Sequence, residues 1–261
     1  MPKVGIIAGS GFYEIGGVKI KETREITTPF GNPSDAYRIC EFSGREFAFL
    51  ARHGSPHRLP PHGINYRANI WGLRRIGVER VFSVNAVGGI SSHLRPGEIV
   101  IPNQIIDLTH GRISTFHEQG EVVHIDFTDP YCPELMGFLL DAGKISGIDL
   151  RESATYVCVN GPRLETKAEI AFFANMGGDV VGMTGMPEAC LARELEMCFA
   201  GIAVVTNYAA GISPSRLTTA EVIGMMEVSI DKVKDLIFGT LPAVLETRSC
   251  ECGQALKDAR M

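Results

Sequence analysis

Val-Gly-Met-Thr-Gly-Met-Pro-Glu (Val181–Glu188) follows Asn-Gly-Pro-Arg-Leu-Glu-Thr (Asn160–Thr166) and precedes Val-Val-Thr-Asn-Tyr-Ala (Val204–Ala209). Each piece is a short apolar run that breaks at a glycine or small polar residue just before a helical pattern. That is the sequence form of a strand end meeting a helix start. Open α/β sheets bind small molecules at such ends. Three of them converging place Glu165, Met183, Thr184 and Asn207 around one pocket.

Outward from this stretch, the pattern stays one of strands alternating with helices. Lys3 to Ala8 is a buried strand ending in Gly9-Ser10-Gly11, a turn whose free N–H groups suit an anion but which serves equally as a plain turn. It fits neither a dinucleotide fingerprint nor a Walker loop. Tyr37 to Glu41 and Glu46 to Ala51 form a hairpin about Ser43-Gly44, and the second strand runs into Arg52-His53-Gly54. An Arg and a His there offer a bidentate fork and a ring donor to an oxyanion, or are merely a solvated Arg beside a loop His. Ser55 to Gly63, with His57, His62 and three prolines, reads as a stiff lid rather than a metal site.

A helix is predicted over Asn65 to Ile76 and a strand over Arg80 to Ala86, which ends at Asn85, Ala86 and a tight Gly88-Gly89 turn. Glu98 to Ile106 is a strand. Thr109 to Pro130 is a long loop holding His110, His117 and His124, expected to reach a neighbouring subunit. The remaining expectations are a helix from Pro133 to Lys144, a strand from Ser153 to Val159, and a helix from Thr166 to Met176 opened by a Thr166/Glu169 capping box. A helix from Met186 to Glu196 with Pro187 in its first turn, a strand from Phe199 to Thr206 and a helix from Thr219 to about Glu246 complete the chain. The fold class is therefore α/β, a single domain with a mixed central β-sheet flanked by helices. The domain spans residues 1–248, and residues 249–261 form a polar, frayed tail.

The 261 residues, 45% of them hydrophobic, suit one large domain. A net charge of −5 leaves no basic face for nucleic acid. No apolar run is long enough to span a membrane and no signal peptide is evident, so a cytoplasmic protein is expected. Of seven cysteines, Cys40, Cys132, Cys158, Cys190 and Cys198 read as scattered, buried, reduced thiols. Cys250 and Cys252 form a C-x-C that is a strained disulfide, a metal contact or nothing. The last is favoured, a tail disulfide second, and no metal site is expected.

Neither a nucleophile poised by a base nor a cofactor signature stands out. The strand ends supply hydroxyls, N–H groups, one Arg, one carboxylate and one carboxamide. Such parts suit holding an anion against an electrophilic carbon, as in phosphorolysis. Gly9-Ser10-Gly11, Ala51-Arg52-His53-Gly54, Asn85-Ala86-Val87-Gly88-Gly89, Gly161 to Glu169, Val181 to Glu188 and Thr206-Asn207, in this order, resemble the trimeric purine nucleoside phosphorylase and methylthioadenosine phosphorylase family.

The resemblance implies a nucleoside phosphorylase fold, a homotrimer or a pair of trimers, and no cofactor beyond inorganic phosphate as co-substrate. It implies a phosphate site of Ser10, Arg52, His53, Ala86 and Thr184, lined by Asn85. Met183 sits under the ribose. Glu165 and Asn207 act on the base with Leu164 and Ala209 beside them, and His124 comes from a neighbouring subunit's loop.

A carboxylate at Glu165 accepts the N1–H of a 6-oxopurine while the Asn207 amide donates to O6 or bonds N7. Adenine reverses both edges and leaves the carboxylate unpaired, a mismatch worth on the order of 10⁴-fold. The methylthioadenosine branch has acidic residues where this chain has Asn207 and Ala209. No His follows His124, and Leu217 to Val222 offer an apolar surface to the sugar's 5′ group. A 5′-methylthio substituent on a 6-oxopurine nucleoside is therefore expected, with inosine and guanosine open. The alternatives are a methylthioadenosine phosphorylase and a non-catalytic nucleoside-binding protein.

Overall fold

The computed structural model describes residues 1–9, 18–213, 218–244 and 247–261. Among these, the strands are β1 (Val4–Ala8), β2 (Lys19–Arg24), β3 (Tyr37–Phe42), β4 (Arg45–Ala51), β5 (Arg80–Gly89), β6 (Ile99–Asp107), β7 (Leu150–Cys158), β8 (Val180–Gly182) and β9 (Cys198–Tyr208). They form one mixed sheet in the order β2-β3-β4-β1-β5-β8-β7-β6-β9, and β9 also pairs with β5. The last five strands thus close into a ring, because β9 runs parallel to β5 from Arg80↔Cys198 onward and antiparallel to β6. β1 lies between β4 and β5, parallel to both. The helices are α1 (Tyr66–Ile76), α2 (Pro133–Ser146), α3 (Lys167–Asn175), α4 (Gly185–Glu194) and α5 (Thr219–Thr240).

Local chemistry sets most boundaries. All of β1 and all but the last residue of β9 are buried, as expected of apolar strands covered on both faces. The Asn65 side chain caps α1 by accepting from Ala68 N, and Gly77 ends it at φ 106°, which a β-carbon disfavours. The capping box is formed: Glu169 N donates to Thr166 Oγ1 at 3.1 Å and Thr166 N to Glu169 Oε2 at 2.7 Å.

Several expectations are corrected. Gly88-Gly89 is no tight turn but the end of β5, where a bulge lets it pair with both β8 and β9. β2 was not evident in the sequence, because its mostly exposed Lys-Ile-Lys-Glu-Thr-Arg carries no apolar signal; its charges suit a sheet edge. The backbone of Met186 and Pro187 is non-helical and the bond between them is cis, so α4 is kinked at its start. α5 stops at Thr240.

The tail is not frayed. Cys252 is 3% exposed, Ala259 O accepts from His124 N at 2.8 Å, and Met261 N donates to Val122 O at 3.1 Å. Nor are the cysteines scattered, since Cys132 and Cys198 meet Cys250 and Cys252. The 109–130 loop is irregular as expected and packs on its own chain through Arg112 and the Phe30–Phe116 ring pair. Among the described residues no helix is long and apolar enough to cross a membrane.

Candidate active site

The parallel run of β4, β1, β5 and β9 brings four carboxyl ends to one rim. A cavity of about 220 Å³ opens there. Its wall takes Gly9 from the end of β1, Arg52 and His53 after β4, Ala86 to Gly88 from β5, Val181 to Thr184 around β8, and Thr206 and Asn207 from β9. Leu164 and Glu165 enter from the loop before α3, Val222 from α5, and His57 and Pro61 from the expected lid. Glu165, Met183, Thr184 and Asn207 do share one pocket. Ser10 and Leu217 lie outside the described residues.

Arg52 differs most from expectation. It is 1% exposed, and its fork grips Glu188, with Nε on Oε1 at 2.6 Å and Nη2 on Oε2 at 3.0 Å. Nη2 also donates to Ser83 Oγ at 2.6 Å and Nη1 to the Val84 carbonyl at 2.8 Å. Among the described residues, four of its five N–H groups are thus engaged and one on Nη1 is left. The guanidinium and Glu188 cancel in charge, so Arg52 brings the cavity a hydrogen-bond donor rather than a free cation or a bidentate fork.

The network continues through Asn85, whose Nδ2 donates to Ser83 O and Oγ and whose Oδ1 accepts from Thr184 Oγ1 at 2.8 Å. Asn85 is absent from the cavity wall. It sits behind Thr184 and orients the hydroxyl.

His53 is 7% exposed and stacks on His57 with ring centroids 4.3 Å apart. Its Nδ1 lies 2.7 Å from the Leu59 carbonyl. A carbonyl only accepts, so Nδ1 carries the proton and Nε2 of the neutral ring is a bare acceptor. Burial, then the Arg52 charge, pushes the pKa of His53 down to about 4, which keeps it neutral near pH 7. A Cβ on Gly9 would lie 3.4 Å from both Arg52 Nη1 and His53 Nε2. A methyl there would touch both polar atoms and take up space beside them.

Asn207 is 5% exposed. Its Oδ1 accepts from Thr206 Oγ1 at 2.8 Å and its Nδ2 donates to Tyr208 O at 2.9 Å, leaving one N–H among the described residues. Burial holds the carboxyl of Glu165 above its ordinary range. Like Asn85, the expected Ala209 does not reach the wall. Ala209 is buried in an apolar cluster with Val181 and Phe173, because the bulge and the turn after β9 direct it inward. His124 is held against the tail by its backbone.

Arg112 was missed. From the long loop, its Nη1 donates to the carbonyls of Met183 and Met186, each at 2.7 Å, and Nη2 to that of Asn160 at 2.9 Å. It stands 5.1 Å above the Tyr66 ring. One side chain thus ties together the segments carrying Glu165 and Met183. An Arg among polar loop residues gives no sign of such a role.

The geometry agrees with what the chain is similar to. Residues 3–241 match the Phosphorylase superfamily. A probable S-methyl-5'-thioinosine phosphorylase of Thermodesulfovibrio yellowstonii is 54% identical over 98% of this chain and 97% of its own length. The 6-oxopurine nucleoside phosphorylase of Pyrococcus furiosus is 46% identical over 99% of both. A methylthioadenosine phosphorylase crystal structure from an antarctic soil metagenomic library superposes with a TM-score of 0.94 at 37% identity, covering 100% of this chain and 92% of that one. A strand-end cavity with the same fold and full-length relatives places this chain in the phosphorylase superfamily, among its purine nucleoside phosphorylases.

Proposed function

We propose that the chain catalyses phosphorolysis of the N-glycosidic bond of 6-oxopurine nucleosides, S-methyl-5′-thioinosine foremost and inosine and guanosine beside it. The products are the free purine and a ribose 1-phosphate. One observation carries the reading: Glu165 and Asn207 line the same cavity as Gly9, Arg52, His53, Ala86 and Thr184. An acid-and-amide pair for a keto purine and a set of polar groups suited to a protonated anion, donors together with the His53 Nε2 acceptor, therefore face a common space. The names of the relatives point the same way.

In this reading Glu165 accepts the purine N1–H, and the remaining Asn207 N–H bonds O6 or N7. Phosphate lies against the spare Arg52 N–H and the backbone around Gly9 and Ala86, and the Thr184 hydroxyl turns its single proton from Asn85 Oδ1 to a phosphate oxygen when the anion binds. Monohydrogen phosphate donates its own P–OH to His53 Nε2. A phosphate oxygen bonds C1′ as the bond to N9 breaks through an oxocarbenium-like state. The purine leaves with the bonding pair and takes up a proton, and Asn207 stabilises the charge moving onto N7. No side chain needs to act as nucleophile; positioned donors suffice.

Val222 in the wall gives the 5′ group an apolar neighbour, as a methylthio substituent requires. The same feature would suit methylthioadenosine, which some relatives are named for, but adenine offers Glu165 a lone pair. The working assembly is a homotrimer, alone or paired, with the 109–130 loop and His124 reaching the neighbour's site. Light scattering on the purified protein checks it, three or six chains per particle being expected.

The deciding assay compares methylthioinosine, inosine, guanosine and methylthioadenosine, each with and without phosphate. Base release that ignores phosphate refutes phosphorolysis, and binding without release makes the protein a nucleoside carrier. Asn207→Asp should move preference toward 6-aminopurines; unchanged selectivity would contradict the base assignment.

A further inference from the structure

Four of the seven cysteines meet far from the cavity. Cys132 is the N-cap of α2, Cys198 starts β9, and Cys250 and Cys252 stand in the tail. Asn207 lies near the other end of β9, roughly 30 Å along the strand. All four Sγ atoms fall within 4.8 Å of one another, and those of Cys198 and Cys250 are 3.4 Å apart. Four sulfurs about 2.3 Å from a tetrahedral ion stand about 3.8 Å from each other. The cage has the size for a single ion and is too tight for an iron–sulfur cluster, whose own sulfides must fit between the thiolates.

The surroundings supply a second, independent sign. Arg80 is the strand partner of Cys198 and is 0% exposed. Among the described residues, none of its Nε, Nη1 and Nη2 atoms has a hydrogen-bond partner. Glu134 Oε1 stands 3.9 Å from Nη2, while Glu134 Oε2 accepts from Cys250 N at 2.9 Å. A buried guanidinium without acceptors is costly. A tetrathiolate zinc centre carries two negative charges and would be the missing counterpart; two neutral disulfides would leave Arg80 as it is. Cys132 occupies the positive end of a 14-residue helix.

We propose that Cys132, Cys198, Cys250 and Cys252 bind one zinc ion as a tetrahedral tetrathiolate that pins the C-terminal tail to α2 and β9. Binding displaces the four thiol protons to solvent, and no redox change occurs. The ion is structural, because four thiolates fill its coordination and leave no position for substrate. This departs from the expectation of no metal, which rested on the spacing of cysteines along the chain. Cys198 and Cys250 are 52 positions apart.

The test uses the full chain, purified with a thiol reductant and without chelator, its metal content read by inductively coupled plasma mass spectrometry. One zinc per chain is expected, released as an organomercurial titrates the thiols and captured by a chromophoric chelator. Protein produced with cobalt should show the absorption of a tetrahedral tetrathiolate. A Cys250→Ser/Cys252→Ser variant should hold no zinc and melt at a lower temperature, yet turn over nucleoside where it is folded. A wild-type protein without stoichiometric metal overturns the proposal, whether alkylation and mass analysis find its four cysteines free or joined in disulfides. Full zinc content in the double variant overturns it as well.

Discussion

His53 is neutral in the folded chain because its ring is buried beside Arg52 and its Nδ1–H is committed to Leu59. Its pKa falls to about 4 from the ordinary 6.5. Below pH 6.5 the unfolded chain gains a proton that the native chain refuses until about pH 4, so stability declines as pH falls through that window and is flat beneath it. Linkage puts the loss at up to roughly 3 kcal/mol. Denaturant midpoints from pH 4 to 7 in phosphate-free buffer should therefore slope less for His53→Asn, which keeps a donor toward Leu59; an unchanged slope would remove His53 as the cause. The same tautomer leaves Nε2 able only to accept, so sulfate, which bears no proton at neutral pH, should compete poorly with phosphate. Gly9→Ala places a methyl between Nε2 and Arg52 Nη1, and it should raise the KM for phosphate at least tenfold while the nucleoside KM changes little. Arg52 itself is a poor probe of phosphate binding. Arg52→Ala strands Glu188, which is 0% exposed, and should cost about 3–5 kcal/mol of stability by thermal melting.

At the level of elements, the legible parts were those whose signal is local. Strand ends at Gly9, Arg52 and Met183 were visible because an apolar run stops there, whereas β5 and β9 run past Ala86 and Thr206 to Gly89 and Tyr208. Parallel pairing carries β1, β4, β5 and β9 to one rim, and β8 joins them through an antiparallel pairing with β5. The α3 capping box was visible because both partners lie within four residues. What escaped was chemistry between distant elements. Glu188 meets Arg52 across 136 residues, and nothing in a helix expected from Met186 to Glu196 with Pro187 in its first turn marks Glu188 as fully buried. The cysteine cage escaped for the same reason, and β2 because exposed edges carry no alternation. Arg112 joins the loop after β6 to the segments before α3 and after β8. Arg112→Lys retains the charge but not the fork that spans three carbonyls. A shift of about 1 Å in Met183 and Glu165 would lower kcat/KM roughly 10²-fold. Arg112 should thus act as a positioning residue: kcat falls, the pH profile keeps its shape, and melting moves only slightly. A variant with unchanged kcat would mean that the loop does not set the site.

Across the whole molecule, the closed ring and the open flank should differ in how firmly they hold. β5 and β9 pair over ten positions and are buried almost throughout, and within the ring each is bonded on both sides, β5 to β8 and β9, β9 to β5 and β6. Opening β9 breaks two ladders and opening β5 three, its pairing with β1 included, so their amides should exchange only with global unfolding. Among the described residues β2 pairs with β3 alone and is mostly exposed, so its amides should exchange through local fraying. The cavity spans this contrast. Asn207, Ala86 and Thr206 stand on ring strands, whereas His57, Pro61 and Val222 come from the loop after β4 and from α5. In the proposed reading the Asn207 side of the base site is thus set rigidly, whereas Glu165, on the loop before α3, and the 5′ surroundings lie on segments freer to adjust. Native-state hydrogen exchange, read residue by residue, should place β5 and β9 at the highest protection and β2 at the lowest. Adding phosphate with a non-hydrolysable 6-oxopurine nucleoside should slow exchange most in the 55–63 loop and the first turns of α5, and least in β9. If β9 instead opens independently of the rest, the ring is not the unit that holds Asn207 in register, and the preference for keto purines would have to arise elsewhere in the site.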